Sequence, residues 1–164
     1  MRHHLTVLLC LLGGPAVAAD CAAWSASMQE DEGGPRMTAS ICAVASASTP
    51  EAQHYFLVQC AGSDTLAMRY LPFTDGGYPP GGDEEFATDL RLQLAPETYT
   101  LPARFESMDG AMAFESQVNT PFADSLMRAE QIVLSDAEGK VPAATFTLKG
   151  SRGALQAVIE SCAP

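Results

Sequence analysis

The sequence predicts a mainly β protein, an antiparallel β-sandwich or barrel-like domain that ends in one α-helix. Short segments rich in β-branched, aromatic and small residues recur along the chain and are separated by turn-forming residues. The last segment instead has its apolar residues at the spacing of an amphipathic helix. Four of the five cysteines lie beyond an apolar N-terminal run, and an even thiol count in an exported domain indicates disulfides.

Residues 1–19 have the three parts of a secretory signal peptide. Arg2 gives a positive start, Leu5–Leu12 is apolar, and Ala16–Ala19 supplies small residues for cleavage. The apolar run is too short to span a bilayer, which needs about 20 such residues. We therefore expect cleavage, no stable membrane insertion, and a single disulfide-bonded domain of residues 20–164 in the periplasm or outside the cell.

The mature chain is strongly acidic. Cleavage removes Arg2 and no acidic residue, so eight basic residues face twenty acidic ones and the net charge becomes −12. Such a charge repels phosphate backbones and anionic lipid surfaces. We expect no nucleic-acid ligand.

The strands are predicted from composition and from period-two alternation. In Thr88–Leu94, leucines alternate with polar residues, which indicates a strand with one face in water. Gly62-Ser63 predicts a two-residue turn, and Asp109-Gly110 predicts a hairpin. The other strand-like segments are Thr38–Ser46, His54–Ala61, Thr65–Leu71, Thr98–Phe105, Ala111–Glu115, Glu130–Ser135 and Ala143–Lys149.

The C-terminal helix is predicted over Ser151–Cys162. Ser151 follows Gly150 and has a side chain suited to an N-cap. The apolar residues that share one helical face are Leu155, Val158, Ile159 and Cys162.

The predicted faces also indicate how the cysteines pair. Cys60 shares a strand face with Phe56 and Val58, so it points inward if they do. Because the helix carries Cys162 to its buried side, we predict the bonds Cys60–Cys162 and Cys21–Cys42. The alternative is a zinc site, but these cysteines lack the Cys-x₂₋₄-Cys spacing of zinc ligands. We expect no metal.

Motifs for catalysis are absent from the sequence. His54 is the only histidine of the mature chain, and there is no Gly-x-Ser-x-Gly, His-Glu-x-x-His or phosphate-binding glycine motif. Paired cysteines leave no thiol nucleophile. We therefore predict no catalytic residues and no cofactor, although a carboxylate pair of the glycosidase type stays open as an alternative.

A loop rich in glycine and proline is the predicted binding surface. Its aromatic residues can anchor an interface or, equally, cap the end of the sandwich. They lie beside acidic residues that lack the Asp-x-Asx-x-Asx-Gly spacing of a calcium loop. The second candidate contact surface is Gln29–Pro35. The candidate binding residues of the first loop are Phe73, Tyr78, Asp83, Glu84, Glu85 and Phe86.

Several motifs follow one another in a recognisable order: Trp24, Phe56–Cys60, Ser107–Phe114, and a strand Ala144–Gly150 that leads into a helix ending at Cys162. This order resembles the VasI/TagO-like periplasmic accessory proteins of type VI secretion, and the similarity covers most of residues 24–162. Its most specific part is the C-terminal strand and helix. This tail is also similar to proteins related to invasion-associated locus B, which are exported.

The sequence and its resemblance together predict a non-catalytic, monomeric accessory or binding protein of the cell envelope. Its partner is expected to be another envelope protein or peptidoglycan, and the resemblance implies an association with a secretion system. Two alternatives are a carboxylate-based envelope hydrolase and a small secreted inhibitor or virulence-related factor.

Overall fold

A computed structural model of the protein describes residues 21–31, 33–46, 49–74 and 82–162. The predicted signal peptide, residues 1–19, lies outside these ranges. Within the described ranges no helix is both long enough and apolar enough to cross a bilayer.

The described residues form nine antiparallel strands in one sheet, together with two helices, so the predicted fold class is confirmed. The strand order across the sheet is β1-β2-β3-β4-β7-β6-β5-β8-β9. The strands are β1 (Ser25–Gln29), β2 (Arg36–Ser46), β3 (Thr49–Cys60), β4 (Thr65–Leu71), β5 (Ala87–Leu94), β6 (Glu97–Glu106), β7 (Ala111–Gln117), β8 (Gln131–Asp136) and β9 (Ala144–Thr147). The helices are α1 (Pro121–Leu126), between β7 and β8, and α2 (Ser151–Ser161), after β9.

One face of the sheet supplies the core. Alternation in β4, β5 and β8 buries every second side chain, as the period of a pleated strand requires. These side chains meet in a single cluster with residues of β2, β3, β6, β7 and β9, so the sheet must curl around them. The largest fully buried members are Tyr70, Phe56, Phe146, Leu66, Met68, Leu90, Leu92, Leu94, Met112, Leu126, Ile132 and Leu134.

Trp24 joins the two ends of the curled sheet. Its backbone N–H donates to the carbonyl of Lys149 at 2.8 Å, and its indole Nε1–H donates to the carbonyl of Thr147 at 2.9 Å. The indole ring also packs edge-on against Phe56, with 5.4 Å between ring centroids. The residue before β1 is thereby fixed to the end of β9.

Helix α2 lies against β1, β2 and β3, and its buried face includes Ala154, Leu155 and Val158. The predicted N-cap is wrong: Gly150 occupies the cap position, with a φ of 82°. A side chain at residue 150 would be strained at this φ and would bring its Cβ within 3.2 Å of the Trp24 carbonyl oxygen. The Ser151 hydroxyl instead donates to the Leu126 carbonyl at 2.9 Å.

Three local features differ from the sequence predictions. Strand β1 was not predicted, because all its residues are exposed and it has no apolar pattern. Helix α1 was also missed, although Thr120 caps it by accepting a hydrogen bond from the Ala123 N–H. The predicted two-residue turn at Gly62-Ser63 is longer, because β3 ends at Cys60 and β4 begins at Thr65.

The structure joins the cysteines in the two predicted pairs. Cys60 and Cys162 have their Cα atoms 5.4 Å apart, and the bond ties the end of α2 to the end of β3. Cys21 and Cys42 have their Cα atoms 4.7 Å apart, and this bond ties the segment before β1 to β2. Both distances lie within the usual range for disulfides.

Loss of the long-range disulfide should destabilise the protein more than loss of the local one. Loop-closure entropy gives about 4–5 kcal/mol for the Cys60→Ala/Cys162→Ala variant and about 3 kcal/mol for Cys21→Ala/Cys42→Ala. Urea unfolding measures both losses, with non-reducing peptide mapping as the check on connectivity. Free thiols at residues 60 and 162 in the native protein would contradict this assignment.

Candidate functional site

The outer face of the sheet has a groove of about 670 Å³. The side chains that do not enter the core point to this face, and several of those that line the groove are alanines. Ala67 of β4 is opposite Glu115 of β7, and Arg69 of β4 is opposite Ala113 of β7. Alanines therefore form the floor, and the groove stays open between longer side chains. The polar residues of its lining are Arg36, Gln59, Arg69, Arg104, Glu106 and Glu115.

Arg69 is the centre of the polar contacts in this groove. Its Nε lies 2.8 Å from Oε2 of Glu106 and 3.1 Å from Oδ2 of Asp109, at the β6–β7 hairpin. Its Nη1 donates to Oε1 of Gln59 at 3.0 Å. The side chain is only 29% exposed, so water screens these interactions less than at an open surface.

The contacts of Arg69 continue across the sheet. Gln59 of β3 donates from Nε2 to Oγ1 of Thr38 at 2.9 Å, and Thr38 of β2 is buried. On the other side, Oε1 of Glu106 lies 3.6 Å from Nη2 of Arg104. One set of polar side chains thereby connects β2, β3, β4 and β6.

Burial and charge act in opposite directions on the Arg69 guanidinium. Burial lowers the pKa of Arg69, whereas the hydrogen bond and charge of Glu106, with the charges of Asp109 and Asp31, raise it. The net result is a raised pKa, so the side chain is a permanent cation at the centre of the groove.

A smaller groove of about 200 Å³ lies beside the first one. Arg69 and Gln59 line both grooves, and the small groove adds Gln29, Glu30 and Asp31. These three residues belong to the second contact surface that the sequence predicts. The structure therefore brings this surface next to Arg69, a residue that the sequence analysis did not select.

The predicted loop surface is only partly described. Tyr78 lies outside the described residues, while Asp83, Glu84 and Glu85 are exposed. Phe73 is partly buried, and its backbone N–H donates to Nδ1 of His54 at 3.0 Å. None of the described members of this set lines the groove.

Phe86, another candidate binding residue of this loop, is a core residue. It is 8% exposed, and its carbonyl accepts a hydrogen bond from the Phe105 N–H at 2.8 Å. The backbone bond fixes the residue just before β5 against β6, which directs the ring into the core cluster. Of the two roles that the sequence leaves open for this aromatic residue, the burial of Phe86 is that of a residue covering the core.

His54 has structural contacts in the interior. Its Nδ1 accepts the Phe73 N–H and lies 3.1 Å from the Tyr70 hydroxyl, which also lies 2.6 Å from the Pro142 carbonyl oxygen. Accepting the Phe73 N–H requires an unprotonated Nδ1. Consistently, burial lowers the pKa of His54 below 6.5.

Metal ligands are not grouped in the part of the chain that the structure describes. No cluster of three or more His, Cys, Asp or Glu side chains there is suited to hold a metal ion. Two carboxylates, Glu106 and Glu115, line the groove, but both oxygens of Glu106 face arginines. The arrangement is suited to polar recognition.

Comparison with known proteins identifies a similar fold. The sequence matches no known protein family and no curated protein. The structure resembles the crystal structure of invasion associated protein b from Bartonella henselae, with a TM-score of 0.55 and 12% sequence identity. The match covers 84% of this chain and 90% of that one. The similarity to invasion-associated locus B proteins is thus confirmed for the fold.

The pKa of His54 predicts a pH-dependent stability. The unfolded chain takes up the proton first as pH falls, since its histidine pKa is near 6.5 and the folded-state pKa is lower. The stabilisation that neutral His54 gives to the folded protein is therefore complete above the unfolded-state pKa, near 6.5. It is lost as the pH falls from there towards the folded-state pKa. Urea unfolding from pH 7.5 to 5.5 measures this loss.

His54→Asn is the matched control, because an Asn Oδ1 can accept the same hydrogen bond without titrating. We expect its unfolding free energy to change less over this pH range than that of the unmodified protein. Equal pH slopes for the two proteins would contradict the role assigned to His54.

Replacement of Arg69 should destabilise the sheet. Arg69→Ala removes three contacts and leaves partly buried Glu106 without its closest cation, so we expect a loss of about 1–3 kcal/mol in unfolding free energy. Arg91→Ala, on an exposed site of β5 outside the groove lining, should change it by less than about 0.5 kcal/mol. Urea unfolding measures both changes. Equal losses of unfolding free energy in Arg69→Ala and Arg91→Ala would show that the Arg69 contacts are not stabilising.

Proposed function

We propose that this protein is an exported, non-catalytic binding protein of the cell envelope and that the outer groove is its binding surface. The observation that carries the proposal is the groove itself. It has the volume of a ligand site, about 670 Å³, and its central polar residue, Arg69, is held by contacts with three side chains. A fixed polar centre favours recognition because little side-chain freedom is lost on binding.

The positions of the reactive residue types support binding over catalysis. The four cysteines of residues 21–162 are in disulfides, and His54 is buried with Nδ1 occupied. Oε2 of Glu106 accepts a hydrogen bond from Arg69, and Oε1 lies 3.6 Å from Arg104, so both carboxylate oxygens face a positive charge that favours the ionised form. The carboxylate-based hydrolase is therefore the weaker alternative.

The proposed location is the periplasm or the exterior of the cell. Two disulfides are typical of proteins that mature in an oxidising compartment. The signal-peptide pattern of residues 1–19 supports the same location. In this setting we expect a monomer whose partner is an envelope protein or peptidoglycan.

A virulence-related role is the second candidate, because the fold is shared with an invasion associated protein over 84% of this chain. At 12% sequence identity the structural match supports a shared architecture, and the partner has to be identified by experiment. The resemblance of sequence motifs supports an accessory role in secretion. Secretion-apparatus genes beside the coding gene would support that role, and their absence would count against it.

Site-specific photo-crosslinking in cells tests the proposed surface. A photoreactive phenylalanine analogue at position 115, on the groove, should give crosslinked products. The same analogue at position 93, an exposed site of β5 outside the groove lining, should give few or none. Equal products at both positions, or products only at position 93, would overturn the assignment of the groove.

A sacculus assay separates binding from hydrolysis. Purified mature protein is incubated with peptidoglycan sacculi, and both the pelleted protein and the released fragments are measured. The proposal predicts no release of fragments above the level of a heat-inactivated sample. Release that disappears in a Glu106→Gln variant would replace the binding proposal by the hydrolase alternative.

A further inference from the structure

Strand β1 is an open edge of the sheet. It lies at one end of the strand order, pairs among the described strands with β2 alone, and has all five of its residues exposed. Its segment, Ser25–Gln29, contains no lysine, proline or charged residue, which are the residues that commonly protect an edge. Such an edge is able to pair with a further strand.

The other edge of the sheet, β9, is covered where it ends. The carbonyls of Thr147 and Lys149 accept hydrogen bonds from the indole and backbone N–H groups of Trp24. Trp24 directly precedes β1, so this contact closes the sheet at the start of β1 and leaves the strand itself exposed. The available edge therefore begins at Ser25.

The hydrogen bond at Trp24 shows which backbone groups of β1 face outward. Along a strand, the N–H and C=O of one residue point to the same side, and those of the next residue point to the opposite side. The N–H of Trp24 donates to Lys149 at 2.8 Å, away from β2. By the same alternation, Ala26 and Met28 direct their N–H and C=O groups away from β2.

A second hydrogen bond, at the end of β3, leads to the same orientation. The N–H of Ala61 donates to the first residue of β4, so the even-numbered residues of β3 bond to β2. Ala39 is opposite Val58, so Ala39 bonds to β3. Its neighbour Thr38 then bonds to β1, where it is opposite Ser27. The odd-numbered residues of β1 therefore bond to β2, and the even-numbered ones face outward.

The outward groups of Ala26 and Met28 are two N–H donors and two C=O acceptors. Within the part of the chain that the structure describes, no strand lies beyond β1 to pair with them. Backbone groups of this kind are strong hydrogen-bonding groups, and they are the ones that an added strand uses.

The side chains at this edge indicate the chemistry of the partner. Met28 is 57% exposed and lies opposite Met37, which packs against the core. An apolar residue on an added strand would cover the exposed part of Met28. Glu30 follows β1 and is also exposed. Because the mature domain has a net charge of −12, a basic residue is favoured opposite Glu30.

We propose that β1 binds an extended segment of a partner protein as an added antiparallel strand, with an apolar residue opposite Met28 and a basic residue opposite Glu30. The inference adds a second contact surface to the proposed function and does not depend on the outer groove. Antiparallel pairing is the arrangement of the neighbouring pairs β1–β2 and β2–β3. A second copy of this chain is the weaker occupant, because two domains of net charge −12 repel each other.

The test is an NMR titration of the ¹⁵N-labelled mature protein at low ionic strength. The probe is the peptide N-acetyl-Lys-Thr-Val-Thr-Val-Thr amide. In the proposed register its valines lie opposite Met28 and Ala26, and its lysine lies opposite Glu30. Binding should shift the backbone signals of these residues of β1. No shift with this peptide would overturn the inference.

Two methylated peptides test the backbone pairing. N-methylation of both valines removes the N–H groups that face β1, whereas N-methylation of the first two threonines removes N–H groups that point away from it. The two peptides have the same composition and charge. The valine-methylated peptide should bind at least about tenfold more weakly, because two hydrogen bonds are lost. Equal affinities, or the reverse order, would overturn the inference.

Variants of residue 26 test the same pairing from the side of the protein. Ala26→Pro removes an outward N–H and keeps the bonds of β1 to β2, a position at which an edge strand tolerates proline. It should bind the unmodified peptide at least about tenfold more weakly, with an unchanged midpoint of urea unfolding. Ala26→Ser keeps the N–H and should bind as the unmodified protein does. Equal binding by the two variants would contradict the inference.

Sedimentation equilibrium tests the alternative occupant. The proposal predicts a monomer in the absence of peptide. A dimer that Ala26→Pro abolishes and Ala26→Ser keeps would show that a second copy occupies the edge, and it would overturn the choice of partner. If Ala26→Pro does not fold, the two methylated peptides still decide whether β1 pairs through its backbone.

Discussion

The architecture depends on closing one long sheet around a single core. A sheet with one apolar face is stable only if that face is covered, and here the sheet covers its own face by curling. Trp24 provides the closure, because its backbone and indole N–H groups donate to Lys149 and Thr147 at the other end. The Cys60–Cys162 bond holds α2 against the strands at this end of the sheet. Closure thereby brings distant parts of the sequence into one cooperative unit.

The outer groove lies on the opposite face of the same sheet. Once alternate side chains enter the core, the pleat directs the remaining ones to the opposite face. Neighbouring strands then place Ala67, Arg69, Ala113 and Arg104 side by side, although the pairs come from separate parts of the chain. Small residues give the groove its volume, and the contacts of Arg69 hold its strands in register. Fold and proposed binding surface thus follow from the two faces of one sheet.

Local patterns in the sequence were sufficient for most of the fold but not for the groove. The alternating leucines of β5, the Asp109-Gly110 hairpin and the apolar stripe of α2 are short-range signals, and all three elements are present. Strand β1 has no such signal because no side chain of it is buried, so only pairing with β2 makes it a strand. The groove depends on register between β4, β7 and β6, which no local pattern encodes. The burial of Phe86 likewise has no local signal in the sequence. It accompanies a backbone hydrogen bond to Phe105, a residue of another strand.

Native-state hydrogen exchange at Trp24 tests the closure most directly. The indole and backbone N–H groups of this residue should exchange only through global unfolding, with a free energy equal to that from urea unfolding. The reference is the backbone N–H of core residue Phe56 on β3. Equal protection at Trp24 and Phe56 is the predicted result. Rapid exchange at both N–H groups of Trp24, with Phe56 still fully protected, would show that the ends of the sheet are not joined and would contradict this account.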